Sequence, residues 1–131
     1  MRRWLVLLGV ILALPVRAGV ELSLPSGQGV TLLEALSNIP GNDGLAIRYR
    51  FLAPAIARDG GTIDADTAED DMDWLCNTYA LPRLPATGPQ PAEIIISMSD
   101  MNVPFGEEHP EATQFFNAYR IEDGACQWEM F

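Results

Sequence analysis

Three arginines have the residue type and spacing best suited to binding an anion. Arg48 and Arg50 are two residues apart in an alternating stretch, so they would project from one face of a strand. Arg120 shares the parity of Phe116 and Ala118 in a later stretch, and it would join the other two if the strands were neighbours. Alternatively, each arginine pairs across the sheet with a carboxylate. Because 18 acidic residues outnumber the eight arginines, ion pairs are favoured. Each pair is worth less than about 1 kcal/mol when exposed.

Cys76 and Cys126 are the only two cysteines, so a single intramolecular bridge is possible. Redox-active thiols usually lie closer together, as in Cys-x-x-Cys. A zinc site needs about four ligands, and His109 is the only histidine in the chain. We therefore predict a structural disulfide, which closes a long loop and contributes about 4 kcal/mol to stability.

A short acidic stretch contains the residue types of acid–base catalysis. Glu107, Glu108, His109 and Glu111 lie within five positions of the sequence, which would suit a small hydrolase. The sequence has no Gly-x-Ser-x-Gly elbow, no phosphate-binding glycine loop and no His-Glu-x-x-His motif. We therefore predict no catalytic residue, no metal site and no cofactor.

The first 18 residues are typical of an export signal. Arg2 and Arg3 precede an apolar run from position 4 to 14, and Pro15 follows it just before Ala18, a small residue suited to cleavage. The run is shorter than the roughly 20 residues of a membrane-spanning helix. We predict that residues 1–18 are a signal peptide, that residues 19–131 form one domain, and that the mature protein leaves the membrane.

The predicted mature chain is strongly acidic. Three of the eight arginines lie within the signal, which leaves five arginines against 18 aspartates and glutamates. Such a surface repels nucleic acid and anionic lipid. It indicates either a solvated surface that keeps an exported protein in solution or a surface that meets a cationic partner.

Hydrophobic periodicity predicts an α+β domain, with an antiparallel or mixed sheet packed against one main helix. Asp64 is the expected N-cap of a helix from about Ala65 to Tyr79, and Cys76 lies on its apolar stripe. Strands are predicted at 20–24, 30–36, 45–52, 93–99, 114–121 and 125–129.

Several features of these elements can also be predicted. The strand at 93–99 is apolar on both faces around Ile95, which indicates a central position. The last two strands would form a hairpin around Asp123 and Gly124, so Cys126 would tie this hairpin to the helix. The aromatic side chains of Trp74, Trp128, Phe115 and Phe116 are predicted to pack in the core and against the disulfide.

Three segments of the chain resemble a family of short exported alphaproteobacterial proteins of unknown function. The segments are Asp71–Cys76, Pro110–Phe116 and Tyr119–Cys126. The resemblance covers most of the predicted mature chain, and it implies a periplasmic setting and the same two cysteines, without an active site. We expect a periplasmic interaction or accessory protein that binds a cationic protein partner. The alternatives are a module that binds a small anion through Arg48, Arg50 and Arg120, and then a small hydrolase.

Overall fold

One six-stranded sheet and one helix make up the protein, in a computed structural model that describes residues 15–42 and 44–129. The α+β class is therefore confirmed. Most of the predicted export signal, residues 1–14, lies outside the described residues. Within the described ranges, no helix is both long enough and apolar enough to cross a bilayer.

The strands follow one another across the sheet in chain order. They are β1 Glu21–Ser23, β2 Gly29–Gly41, β3 Gly44–Leu52, β4 Glu93–Ser99, β5 Gln114–Glu122 and β6 Ala125–Trp128. Neighbouring strands are antiparallel except for β3 and β4, which are parallel because the chain crosses between them through the helix. The predicted central position of β4 is confirmed, since it lies between β3 and β5.

The helix is longer than its sequence signals indicate. It begins as α1 Ala65–Trp74, continues as a π-helical segment Leu75–Ala80, and ends in a 3-10 turn Leu81–Arg83, giving 19 residues in all. Asp64 is the N-cap, as predicted, and its Oδ1 accepts a hydrogen bond from the Thr67 N–H at 2.8 Å. The helix continues past its predicted end because Pro82 lies in the first turn of the 3-10 segment. At that position a proline costs no backbone hydrogen bond.

The core lies between the helix and one face of the sheet. Tyr49 and Phe51 of β3 meet the ring of Tyr79 edge-on, with ring centroids 6.2 and 6.0 Å apart. Because side chains alternate along a strand, Arg48 and Arg50 must point away from the helix. We call this opposite side of the sheet the open face. It carries Glu34 and Leu36 of β2, Arg48 and Arg50 of β3, Ser97 of β4, and Phe116 and Arg120 of β5.

The predicted disulfide is confirmed. Cys76 and Cys126 are bonded, with their Cα atoms 6.2 Å apart. Cys76 is fully buried in the π-helical segment, and Cys126 belongs to β6. The Oδ1 of Asn77 also accepts a hydrogen bond from the Cys126 N–H at 2.9 Å. Disulfides persist in oxidising compartments, so this bridge indicates an exported environment.

Two of the four aromatic residues predicted to lie in the core are exposed instead. Phe116 retains 56% of its accessible surface because it projects from the open face, and Trp128 retains 52% because it belongs to the short edge strand β6. Trp74 and Phe115 are partly buried against the core, as predicted. The two exposed rings were therefore wrongly assigned to the interior.

The loop between β4 and β5, residues 100–113, is tied down at its base. The Thr113 N–H donates to Asp100 Oδ1 at 2.7 Å, and the Asp100 N–H donates to the Thr113 carbonyl at 3.0 Å. Arg58 adds a second anchor, since its Nη2 donates to the carbonyls of Pro110 and Ala112, both at 2.9 Å. These bonds hold both ends of the loop against the rest of the protein.

Candidate anion-binding site

Arg50 is engaged on both sides of its guanidinium group. Its Nη1 forms an ion pair with Glu34, the residue directly opposite on β2, and its Nη2 donates to the Val103 carbonyl. Arg50 therefore has the cross-strand carboxylate that the ion-pair interpretation predicted. It is also buried, with 8% exposure, and it holds the 100–113 loop against the open face.

Arg120 lies on the open face but does not converge with the other two arginines. In the register of the sheet, Arg120 is opposite Glu93 while Arg48 is opposite Ile95, and the whole of β4 separates them. The guanidinium of Arg120 pairs with Glu129 at 3.3 Å and with Glu122 at 3.7 Å. Because β3 and β5 are not neighbours, the condition for convergence is not met, and Arg120 has carboxylate partners, as the ion-pair alternative expects.

Arg48 has no carboxylate partner among the described residues. Its Nε donates to Ser97 Oγ at 3.4 Å, and its two Nη groups make no hydrogen bond within the same ranges. Its Cζ lies 5.3 Å from the ring centroid of Phe105 and 5.5 Å from that of Phe116. Burial, and then the charge of Arg50, lower the pKa of Arg48. The two ring faces attract the cation, but they provide no oxygen acceptor for the Nη groups of Arg48.

A small polar cavity adjoins this guanidinium, and we call it the arginine pocket. It has a volume of about 120 Å³. Ser97 and Ser99 line it with buried hydroxyl groups, which accept hydrogen bonds from Arg48 Nε and the Met101 N–H, both at 3.4 Å. In the described part of the chain neither hydroxyl donates a hydrogen bond, so each retains a proton for an acceptor. Gln114, Phe105 and Glu107 also line the pocket.

A larger trough of about 480 Å³ lies on the other side of Phe105. A bulge between Leu32 and Glu34 breaks the pairing of β2 with β3 and turns Leu33 onto the open face, as bulges often do near functional sites. The trough shares four lining residues with the arginine pocket, so the two adjoin. The shared residues are Leu33, Arg50, Pro104 and Phe105, whereas Glu34, Leu36 and Asn102 line the trough alone.

Another groove, of about 560 Å³, lies between the start of α1 and residues 112–115. Both of its charged side chains have structural partners. Arg58 donates to backbone carbonyls and to Thr113 Oγ1, and Asp64 caps the helix. This groove therefore offers no unpaired charge to a ligand.

The acidic stretch around His109 forms an exposed cluster. The Nε2 of His109 lies 3.3 Å from Glu107 Oε2, and its Nδ1 lies 3.1 Å from Glu111 Oε1. The hydrogen bond to Glu107, which has the larger effect, and the hydrogen bond to Glu111 raise the pKa of His109. In the described residues no hydroxyl or thiol bonds to the imidazole, so the geometry gives no support to a hydrolase at this place.

Two residues that line the arginine pocket, Ser97 and Phe105, could not be identified from the sequence. Ser97 shares the parity of Glu93 and Ser99 along β4, so alternation indicates its face but not its neighbour Arg48. Phe105 lies in a loop without periodicity. Glu93 is 2% exposed and lies where a Cβ on Gly41 would come within 2.6 Å of its Oε1. Position 41 therefore requires glycine. Glu93 does not line the arginine pocket.

Removing Arg50 should cost more stability than removing Arg120. We expect Arg50→Ala to lower the free energy of unfolding by about 1–3 kcal/mol, because a buried carbonyl loses its donor and Glu34 loses its cation. Arg120 is half exposed, so Arg120→Ala should cost less than about 1 kcal/mol. Chemical denaturation of both variants measures the difference. Equal losses would show that the burial of Arg50 contributes nothing.

The comparisons with known proteins identify a family but no activity. A model described as Family of unknown function (DUF6497) matches residues 10–131. The chain matches no curated protein and no solved structure. An uncharacterised family is what the three resembling segments implied, and its description supplies no site residues.

Proposed function

We propose a function from the geometry, since the chain belongs to the Family of unknown function (DUF6497), whose description carries no activity. The protein is a binding protein that holds a small anionic ligand in the arginine pocket. The observation that supports this function is the guanidinium of Arg48, which has no carboxylate partner in the described part of the chain and is flanked by two aromatic rings.

The state of Arg48 needs an explanation in physical terms. A partly buried cation without an anion is costly, and a chain with 18 acidic residues could readily provide one. Arg50 and Arg120 both have carboxylates on the same face, whereas Arg48 has a hydroxyl and two rings. An anion bound from solution would complete the hydrogen bonds of the fork, in the bidentate way that guanidinium binds carboxylates.

The neighbouring side chains suit binding better than catalysis. Ser97 and Ser99 supply two hydroxyl donors, and Arg50 fixes the loop that carries Phe105. Neither serine hydroxyl hydrogen-bonds to a general base within the described ranges, so neither serine is an activated nucleophile. In this function Arg48 contacts the ligand, Arg50 positions the pocket, and Arg120 has no part.

Titration with acetate tests this function. We expect acetate to shift the NMR signal of the Arg48 Nε–H group at millimolar concentration, and Arg48→Gln to weaken binding at least tenfold. Arg120→Gln is the matched control, since it removes an arginine of the same face that already has carboxylate partners. Equal affinity of the wild-type protein and Arg48→Gln would overturn the proposed function.

A second candidate is a cationic protein partner in the periplasm. The outward side of α1 exposes Asp66, Glu69 and Asp70, and no arginine among the described residues pairs with them. Complex formation should weaken as salt rises from 0.15 M to 1 M, because the Debye length falls from about 8 to about 3 Å. A partner retained equally by the variant Asp66→Asn/Glu69→Gln/Asp70→Asn would exclude this surface. Export itself is tested by intact mass, with Gly19 expected as the first residue.

A further inference from the structure

Building on the proposed function, we propose that the ligand is an amphiphilic monocarboxylate with an aliphatic chain. Its carboxylate binds Arg48 in the arginine pocket, and its chain passes Phe105 into the trough between β2 and the 100–113 loop. The inference rests on the charge around the pocket and on the shape of the two adjoining cavities.

The charge around the pocket favours a ligand with one negative charge. Arg48 provides one positive charge that no carboxylate of residues 15–42 or 44–129 pairs with, whereas the charge of Arg50 is neutralised by Glu34. Glu107 also lines the pocket, and its nearest cationic group, His109, belongs to the exposed cluster. A phosphate dianion would therefore bring its second charge close to carboxylates without a further arginine to balance it. A carboxylate brings a single charge and two acceptor oxygens, which match the guanidinium fork.

The sizes of the cavities favour a small charged group joined to a longer apolar part. The arginine pocket, at about 120 Å³, has room for little more than the head of a ligand, whereas the trough is about 480 Å³. Together they fall within the range of small-molecule sites, about 300–1,000 Å³. Leu33, Leu36, Pro104 and Phe105 form the apolar part of the trough's lining, and Glu34, Arg50 and Asn102 form its polar part. An aliphatic chain can leave water along the apolar part.

The exposed rings are explained by the same ligand. Phe105 and Phe116 leave 48% and 56% of their surface in solvent, although large exposed apolar side chains grouped together usually mark a binding site. Both rings contact the guanidinium, but Phe105 alone lines the trough. Phe105 therefore contacts both the carboxylate end and the aliphatic part of the ligand, whereas Phe116 contacts the carboxylate end.

A set of four ligands separates the parts of this proposal: decanoate, acetate, decanol and decyl phosphate, titrated by calorimetry into the full mature chain. We expect decanoate to bind at least about 100-fold more tightly than acetate, because several methylene groups leave water. Decanol and decyl phosphate should each bind at least tenfold more weakly than decanoate.

Two phenylalanine variants form a matched pair, because both remove a ring from Arg48. Phe105→Ser should reduce the advantage of decanoate over acetate by at least tenfold, whereas Phe116→Ser should leave that ratio unchanged and weaken both ligands alike. Thermal unfolding of each variant confirms that it is folded. If the two variants change the ratio equally, the chain does not lie in the trough and the inference is wrong.

The remaining outcomes separate this inference from the proposed function. If acetate and decanoate bound with equal affinity and both required Arg48, the inference of an aliphatic ligand would be wrong, while the anion site would be retained. If decyl phosphate bound more tightly than decanoate, the inferred preference for a ligand with one negative charge would be wrong. Binding of decanol as tight as that of decanoate, and unaffected by Arg48→Gln, would reduce the trough to a nonspecific apolar surface. Failure of both carboxylates to bind would overturn the function as well.

Discussion

Replacing either cysteine of the bridge by alanine should lower the free energy of unfolding by about 2–5 kcal/mol. The Cys76–Cys126 bond closes a long segment and joins the π-helical segment to the edge strand β6. Without it, the unfolded chain gains conformational freedom, and β6 is held by its pairing with β5, by the hydrogen bond from Cys126 N–H to Asn77 and by its packing against the helix. Chemical denaturation of Cys76→Ala and Cys126→Ala measures the loss.

The double variant Cys76→Ala/Cys126→Ala provides the control for this experiment. It should be no less stable than either single variant, because all three lack the same bond and the double variant has no free thiol. Peptide mapping of the parent under non-reducing conditions should recover residues 76 and 126 in one linked fragment. Two free thiols in the native protein, or single variants as stable as the parent, would contradict a structural role.

Asp71→Ala should be the most destabilising change of a single acidic residue on the helix, at about 2–4 kcal/mol. The Asp71 carboxylate is 1% exposed and accepts three hydrogen bonds. Its donors are Ser26 N–H at 3.1 Å, Ser26 Oγ–H at 2.5 Å and Gln28 Nε2–H at 2.8 Å. Removing the carboxylate leaves these groups unsatisfied and detaches the β1–β2 turn from the helix.

Asp70 is the matched control, because it precedes Asp71 on the same helix and is exposed. Asp70→Ala should change the free energy of unfolding by less than about 0.5 kcal/mol. Asp71→Asn should fall between the two, since it keeps one acceptor oxygen for the same donors. If urea midpoints place Asp71→Ala beside Asp70→Ala, the turn is held by its apolar contacts rather than by this carboxylate.

The local signals of the sequence predicted most elements of the fold. Alternation identified β4 with its bounds at 93 and 99, and the pair Asp123-Gly124 identified the last hairpin, where both residues have positive φ. The N-cap Asp64 and the inward position of Cys76 followed from residue type and helical period. These features depend on neighbours in the chain, so the sequence expresses them directly.

The candidate site was predicted only in part, because it depends on contacts between distant residues. Strand parity placed Arg48 and Arg50 on one face, but it could not show that β4 separates β3 from β5 and keeps Arg120 away. The position of Phe105 over Arg48 depends on a loop tied by Asp100 and Thr113. Side-chain pattern indicates a face, whereas strand order and loop path decide which side chains meet.

The hydrogen bond between Asn77 and β6 also bears on aggregation. An edge strand with free N–H groups is a template on which another chain can pair, and this protein exposes aromatic side chains as well. On β6 the outward N–H of Cys126 is already donated to the helix, and the strand is only four residues long. On the opposite side, two bulges interrupt β2 where it extends past β1. Both edges are therefore poor templates for another strand, which limits growth of the sheet into fibres.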